Sequence, residues 1–189
     1  MIPSYSNRQF VTQKQVVEYA RDKIKKFPVY LDTETTGLES TDEIIEIAIV
    51  DSSGQVIFES FVRPQKPIPA SATAINNITN TMVANSPSWA EIWPIIRNHL
   101  SNHPIGMYNA EFDVRMILQS MKINQVPDTT RFNAFDVMKI YSDYMRSERR
   151  YRLEQAGKNL GIVIPNSHRA VDDTLLTRAI LHSIAGIPY

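Results

Sequence analysis

The stretch Val29-Tyr30-Leu31-Asp32-Thr33-Glu34-Thr35-Thr36-Gly37-Leu38 reads as a short strand from Val29 to Glu34, entered after Pro28 and ended by a Thr-Thr-Gly turn. Side chains alternate between the two faces of a strand, so Tyr30, Asp32 and Glu34 share one face and Val29, Leu31 and Thr33 the other. Two carboxylates therefore stand side by side at the end of an otherwise apolar strand. Such a pair repels itself unless a cation or a proton separates it, or water bathes both groups. Hard oxygen ligands of this kind suit magnesium or manganese. Two acids on a solvated strand end is the ordinary alternative, and Asp-x-Glu alone does not choose between the two.

Outward from this strand, Glu43 to Val50 is too continuously apolar for a half-exposed strand and is expected to be a central one with both faces covered. Asp51-Ser52-Ser53-Gly54 turns it into a third strand, Gln55 to Val62, that ends at Arg63-Pro64. The first three strands thus form an antiparallel meander. Pro64, Pro67 and Pro69 break the pattern, and short helical turns are expected around Ala70–Ile75 and Thr79–Ala84. Ser88-Trp89-Ala90-Glu91 has capping-box form and opens a helix through Leu100, with Ile92, Ile95, Ile96 and Leu100 as its apolar side. Pro94 predicts a kink or a late start in that helix. Pro104–Tyr108 is a fourth strand, Asn109 is placed to cap a helix over Ala110–Met121, and Phe132–Phe135 is a weak fifth strand. Helices follow over Val137–Met145 and Leu153–Leu160, the second stopped by Gly161, then an extended Ile162–Pro165 and a last helix from about Ala170 to Ala185 before Gly186.

Upstream, Thr12-Gln13-Lys14-Gln15 is another capping box, and Val16, Ala20 and Ile24 continue it as a helix to Lys26. Residues 1–27 are read as an arm and helix of unassigned role, and 28–189 as a single domain. The pattern predicts an α/β fold: a mixed five-stranded sheet with helices on both faces, the first and fourth strands adjacent at its centre. Asp32, Glu34 and the start of the Ala110 helix then meet at one end of the sheet, where open α/β layers hold their sites.

The bulk composition narrows the classes. With 189 residues, 43% of them hydrophobic, the chain can bury a real core. It has no cysteine, which excludes disulfides, thiolate metal sites and a cysteine nucleophile and suits a reducing compartment. Neither a long apolar run nor a secretory h-region is present, so a soluble, cytoplasmic protein with no membrane partner is expected. Lys plus Arg equals Asp plus Glu at 20 each, so nucleic-acid binding, if any, must be local. The concentrated basic segment, Arg146-Ser147-Glu148-Arg149-Arg150-Tyr151-Arg152, reads first as a solvated face, with phosphate contact as its other reading.

Three further acids and a histidine complete the candidates. Asp113 lies in the first turn of its helix, where the dipole favours an acid with or without a chemical role. Asp172 and Asp173 both fall on the apolar arc of the last helix, and periodicity does not choose between them. His168, just before that helix, is either a loop histidine or a base whose ordinary pKa of about 6.5 suits it to take a proton from water. His99, His103 and His182 read as structural, with His182 on the polar side of the last helix.

Asp32-Thr33-Glu34-Thr35-Thr36-Gly37-Leu38, Asn109-Ala110-Glu111-Phe112-Asp113, and His168 followed five residues later by Asp173 resemble the three motifs of the DEDDh, or DnaQ-like, 3′-5′ exonucleases, in the same order. The resemblance covers roughly residues 28–185 and implies a ribonuclease H-like fold. It implies that Asp32, Glu34, Asp113 and Asp173 hold two divalent cations, Mg2+ or Mn2+, with His168 as general base. The family spacing selects Asp173 over Asp172. Thr33, Thr36, Leu38 and Phe112 match positions that contact or wedge the terminal nucleotide, although Leu38 and Phe112 suit a core equally well. Where the family has His-Gly, this chain has Asn76-Asn77. The implied substrates are single-stranded DNA or RNA 3′ ends, DNA favoured, with a polymerase or repair protein as partner. An RNA-trimming exoribonuclease and a catalytically inactive nucleic-acid-binding module are the alternatives, and retention of all five motif positions argues against the second.

Overall fold

A computed structural model describes residues 10, 12–127, 130–162 and 169–189. Its strands are β1 (Val29–Thr35), β2 (Ile44–Val50), β3 (Val56–Phe61), β4 (Ile105–Met107) and β5 (Ala134–Asp136). They form one five-stranded sheet in the order β3-β2-β1-β4-β5. β1–β2 and β2–β3 pair antiparallel, while β1–β4 and β4–β5 pair parallel. The mixed sheet and its antiparallel opening meander are as the strand patterns predict. The helices are α1 (Gln13–Ile24), α2 (Ala70–Asn76), α3 (Asn80–Val83), α4 (Trp89–Leu100), α5 (Ala110–Ile123), α6 (Val137–Tyr144), α7 (Leu153–Asn159) and α8 (Ala170–Ala185).

The alternation of β1 assigns the two layers. Val29 and Leu31 pack with Ile47 and Ile49 of β2 against Trp89, Ile92, Trp93 and Ile96 of α4 and Val114, Met116 and Ile117 of α5. Tyr30 faces the other way, into a core built from Val16 and Ala20 of α1, Val137 and Tyr141 of α6, and Ile180, Leu181 and Ile184 of α8. Residues on the Tyr30 face therefore continue toward α8, and those on the Leu31 face toward α5. β2 is buried along its whole length, as its apolar run requires.

Several local expectations are corrected. Ile95 is 48% exposed; the aromatic Trp89 and Trp93, stacked at 5.7 Å, take the buried stripe of α4 instead. Pro94 does not delay that helix, which starts at Trp89 behind an intact Ser88/Glu91 capping box. Asn109 precedes α5 without a side-chain cap; it adopts the left-handed conformation, φ 68°, and turns the chain from β4 into the helix. His182 is buried, not on a polar side, because α8 is enclosed on nearly every face. Of the expected extended segment Ile162–Pro165, positions 163–165 lie outside the described residues, as does His168.

At the centre of the sheet Gly106 is required by contact rather than by backbone angle. A Cβ there would stand 2.7 Å from Tyr30 Cδ1 and 2.9 Å from Phe135 Cζ. Tyr30 is fully buried and has no room to yield. Gly106→Ala is expected to destabilise by about 1–3 kcal/mol through overpacking, read as a melting temperature lowered by about 2–4 °C for each kcal/mol.

Candidate active site

Four acids converge at the end of β1. Asp32 and Glu34 project from the Tyr30 face of the strand toward the first turn of α8, which carries Asp173. One carboxylate oxygen from each of Asp32, Glu34 and Asp173 lies within 4.8 Å of the others. The neighbouring Asp172 is not in this group; its charge acts on the Arg169 guanidinium. Helical periodicity left the two indistinguishable, and the placement of α8 across the sheet separates them. Asp113, buried in the first turn of α5, approaches from the opposite layer and accepts a hydrogen bond from Thr33 Oγ1 at 2.8 Å.

The electrostatics follow from burial and crowding. Burial, then the charges of Asp113, Asp173, Glu34 and Glu46, push the Asp32 carboxyl well above the usual carboxylate range. Burial, with Asp173, Glu46 and Asp113, raises Glu34 to about 8, opposed by a hydrogen bond from Asn76. Asp113 is raised to about 7, chiefly by burial, with the Thr33 hydrogen bond opposing. Without a cation these groups hold protons near neutral pH; a divalent ion takes the protons' place. Hard, anionic oxygen donors converging within a few ångströms fit Mg2+ or Mn2+.

Each of these acids has a folded pKa above its unfolded value, so between the two the folded protein holds more protons than the unfolded chain. The cation-free protein then loses stability as pH rises from about 4 through the Glu34 value of about 8. A bound divalent ion favours the ionised acids, so its stabilisation grows over the same window. The melting-temperature difference between Mn2+ and chelator is expected to widen by at least about 3 °C between pH 6.5 and 8.5, the effect of roughly 1 kcal/mol in a chain of this size. A constant difference would show that no shared protons are displaced.

Residues outside the motifs hold these acids in place. Asn76, buried at the end of α2, accepts a hydrogen bond from Ile78 N at 3.0 Å through Oδ1, which fixes its amide so that Nδ2 faces β1. There Nδ2 donates to the Thr35 carbonyl at 3.3 Å and to the Glu34 carboxylate. Asn77 follows in the left-handed conformation, φ 60°, which a glycine or asparagine accommodates. Asp136 accepts from Asn109 N at 3.3 Å and Lys139 N at 3.2 Å, tying the turn before α5 to the cap of α6. Glu46, opposite Glu34 in the β1–β2 register, is bound to Arg169 and Ala170. The sequence offered one hint of these roles: polar Glu46 inside an apolar run. Their partners are far along the chain, and no local pattern reveals them.

The four positions matched to nucleotide contact divide in two. Thr33 and Thr36 are buried, and their hydroxyls are engaged, Thr33 with Asp113 and Thr36 with Asp42 Oδ1 at 2.8 Å. Leu38 is 71% exposed, so it is not a core residue; its carbonyl accepts from Arg115 Nη1 at 3.2 Å. Phe112 is half-buried, with the Arg115 guanidinium 5.3 Å over its ring. The basic segment reaches the same end of the sheet: Tyr108, just after β4, donates to the Tyr151 carbonyl at 2.9 Å. His168 lies outside the described residues, and Arg169 next to it is the first described position before α8.

A ribonuclease H-like sheet with clustered acids at the end of its first strand defines a class of metal-dependent nucleases. The RNase_T family model, described as exonuclease, matches residues 29–181, and the chain belongs to this exonuclease family. The uncharacterized exonuclease CP81 of Escherichia phage 186 is 30% identical over 187 residues, 93% of this chain and 96% of the phage protein. The PolC-type DNA polymerase III of Clostridium perfringens (strain 13 / Type A) is 33% identical over 157 residues, 81% of this chain; that match spans only 11% of the polymerase. Among solved structures, exonuclease X in complex with 5′ overhanging duplex DNA superimposes with a TM-score of 0.66 at 28% identity, covering 84% of this chain and 90% of that one. The protein is thus a nuclease hydrolase. Among the described residues, no helix is long and apolar enough to cross a membrane.

Proposed function

We propose that the chain removes nucleoside 5′-monophosphates one at a time from nucleic-acid 3′ ends, with DNA the favoured substrate. The observation that carries the reading is the convergence of Asp32, Glu34 and Asp173 within 4.8 Å, with buried Asp113 beside them. These four acids would hold two divalent cations. When bound, such ions acidify a water and stabilise the attacking and leaving oxygens of a phosphodiester. His168 takes the proton from the attacking water. Exposed Leu38 and half-buried Phe112 flank the terminal nucleotide, while Thr33 orients Asp113 and Thr36 braces the loop that carries Leu38. Arg149, Arg150 and Arg152, all exposed, attract the phosphates of the strand entering the site. The likeness to exonuclease X, whose structure holds duplex DNA with a 5′ overhang, supports DNA over RNA.

The test uses 5′-labelled single-stranded DNA, single-stranded RNA and recessed duplexes with Mg2+, Mn2+ or chelator. Stepwise shortening from the 3′ end with either metal, none with chelator, and faster loss of DNA than RNA is the expected result. Faster RNA trimming would reassign the substrate. No cleavage under any condition would leave a nucleic-acid-binding module.

A further inference from the structure

The acid cluster has a fifth carboxylate within electrostatic reach. Glu46 of β2 lies opposite Glu34 in the strand register, is 1% exposed, and adds its negative charge to both Asp32 and Glu34. A buried charge beside four others must either bind a cation or be neutralised by the protein. Its oxygens decide between these. Oε1 accepts from Arg169 Nη2 at 2.7 Å and Nε at 3.1 Å. Oε2 accepts from Ala170 N at 3.1 Å. Both oxygens are therefore engaged by the start of α8, by the Arg169 guanidinium and the Ala170 N–H.

Arg169 occupies the N-cap position of α8, yet its side chain makes no capping hydrogen bond. Glu46 does that work from another strand: it receives a helix-terminal N–H and puts a negative charge at the positive end of the dipole. The Arg169 carbonyl in turn accepts from Asp173 N at 3.0 Å. The Arg169 guanidinium also lies over the Phe61 ring at 5.5 Å, with Nη2 3.9 Å from Glu59 of β3. One arginine thus ties β2 and β3 to the turn that carries Asp173.

We infer that Glu46 and Arg169 are positioning residues, a clamp that sets Asp173 against Asp32 and Glu34 at the spacing a divalent ion needs. The inference rests on the metal-dependent reading of the site. Glu46 is not a ligand. A carboxylate-to-arginine fork is geometrically demanding, and lysine does not reproduce it. Loosening such a support characteristically weakens metal affinity or turnover by about 10–100-fold.

The test compares wild type with Arg169→Lys, Glu46→Gln and the double variant. Mn2+ binding is followed by electron paramagnetic resonance, folding by circular dichroism, and kcat and KM on a labelled oligonucleotide at saturating metal. Arg169→Lys keeps the charge and is the variant expected to fold if Glu46→Gln does not. Each folded single variant is expected to bind Mn2+ about 10-fold more weakly or worse, with kcat reduced and KM little changed. The double variant is expected to lose no more than the worse single one, because both act through one contact. Folded variants that melt earlier but bind and turn over like wild type would overturn the inference, leaving the pair purely structural. Loss of a whole Mn2+ equivalent in Glu46→Gln, with none lost in Arg169→Lys, would overturn it by making Glu46 a ligand. Wild-type protein that neither binds Mn2+ nor cleaves would overturn the nuclease reading itself, whereas active wild type with unaffected variants overturns the clamp alone.

Discussion

Asp32→Asn is expected to abolish 3′-end cleavage while raising the melting temperature of the cation-free protein. Asp32 is where the cluster's repulsion concentrates: Asp113, Asp173, Glu34 and Glu46 all act on it, and burial keeps water from screening them. Asparagine has nearly the same shape, so the packing around β1 is preserved and only the charge is lost. The cation-free fold is relieved of part of its like-charge crowding. The bound state loses an anionic donor from the group that includes Glu34 and Asp173. A rate loss of about 10³-fold is expected, the upper end of what removing one preorganised electrostatic contact to the transition state costs. Mn2+ should then stabilise the variant far less than wild type. Retention of Mn2+ stabilisation together with activity would remove Asp32 from the site, and a lower melting temperature in chelator would make it a structural acid.

The parts of this site that were legible in the sequence are those whose geometry is set within a few residues. The alternation of Val29 to Glu34 correctly placed Tyr30, Asp32 and Glu34 on one face, because a strand has period two and a single apolar neighbour fixes its phase. The run Ile44–Val50 told its own burial for the same reason. Helix faces were less reliable where aromatic residues competed with aliphatic ones: Trp89 and Trp93 displaced Ile95 from the buried stripe of α4 by sheer area. Asn109 was misread because its usual capping role hid the other talent of asparagine, the left-handed turn. The clamp was not legible at all. Glu46 and Arg169 are 123 residues apart, and only the crossing of α8 over β2 brings them together. The same crossing resolves Asp173 from Asp172, which a helical wheel cannot do.

His168→Ala is expected to slow cleavage by about 10²–10⁴, with Mn2+ binding kept. The attacking water needs a proton acceptor that is not already committed. In the proposed reading the four clustered acids would hold the cations, and an ionised, metal-bound carboxylate is a poor base. The described histidines are elsewhere: His103 Nδ1 meets the Phe27 carbonyl at 3.2 Å, His99 packs 6.0 Å from the Phe58 ring, and buried His182 meets the Pro188 carbonyl at 2.9 Å. His168 directly precedes Arg169, the residue held against Glu46 at the start of the helix that bears Asp173. The role proposed for His168 and the role proposed for the Glu46–Arg169 clamp separate in kinetics. Loss of the imidazole leaves metal affinity intact and flattens the rise of rate with pH through the histidine range. Loosening the clamp weakens metal affinity and leaves that rise in place. An unchanged rate in His168→Ala, with chemistry rate-limiting, would remove the imidazole from the mechanism.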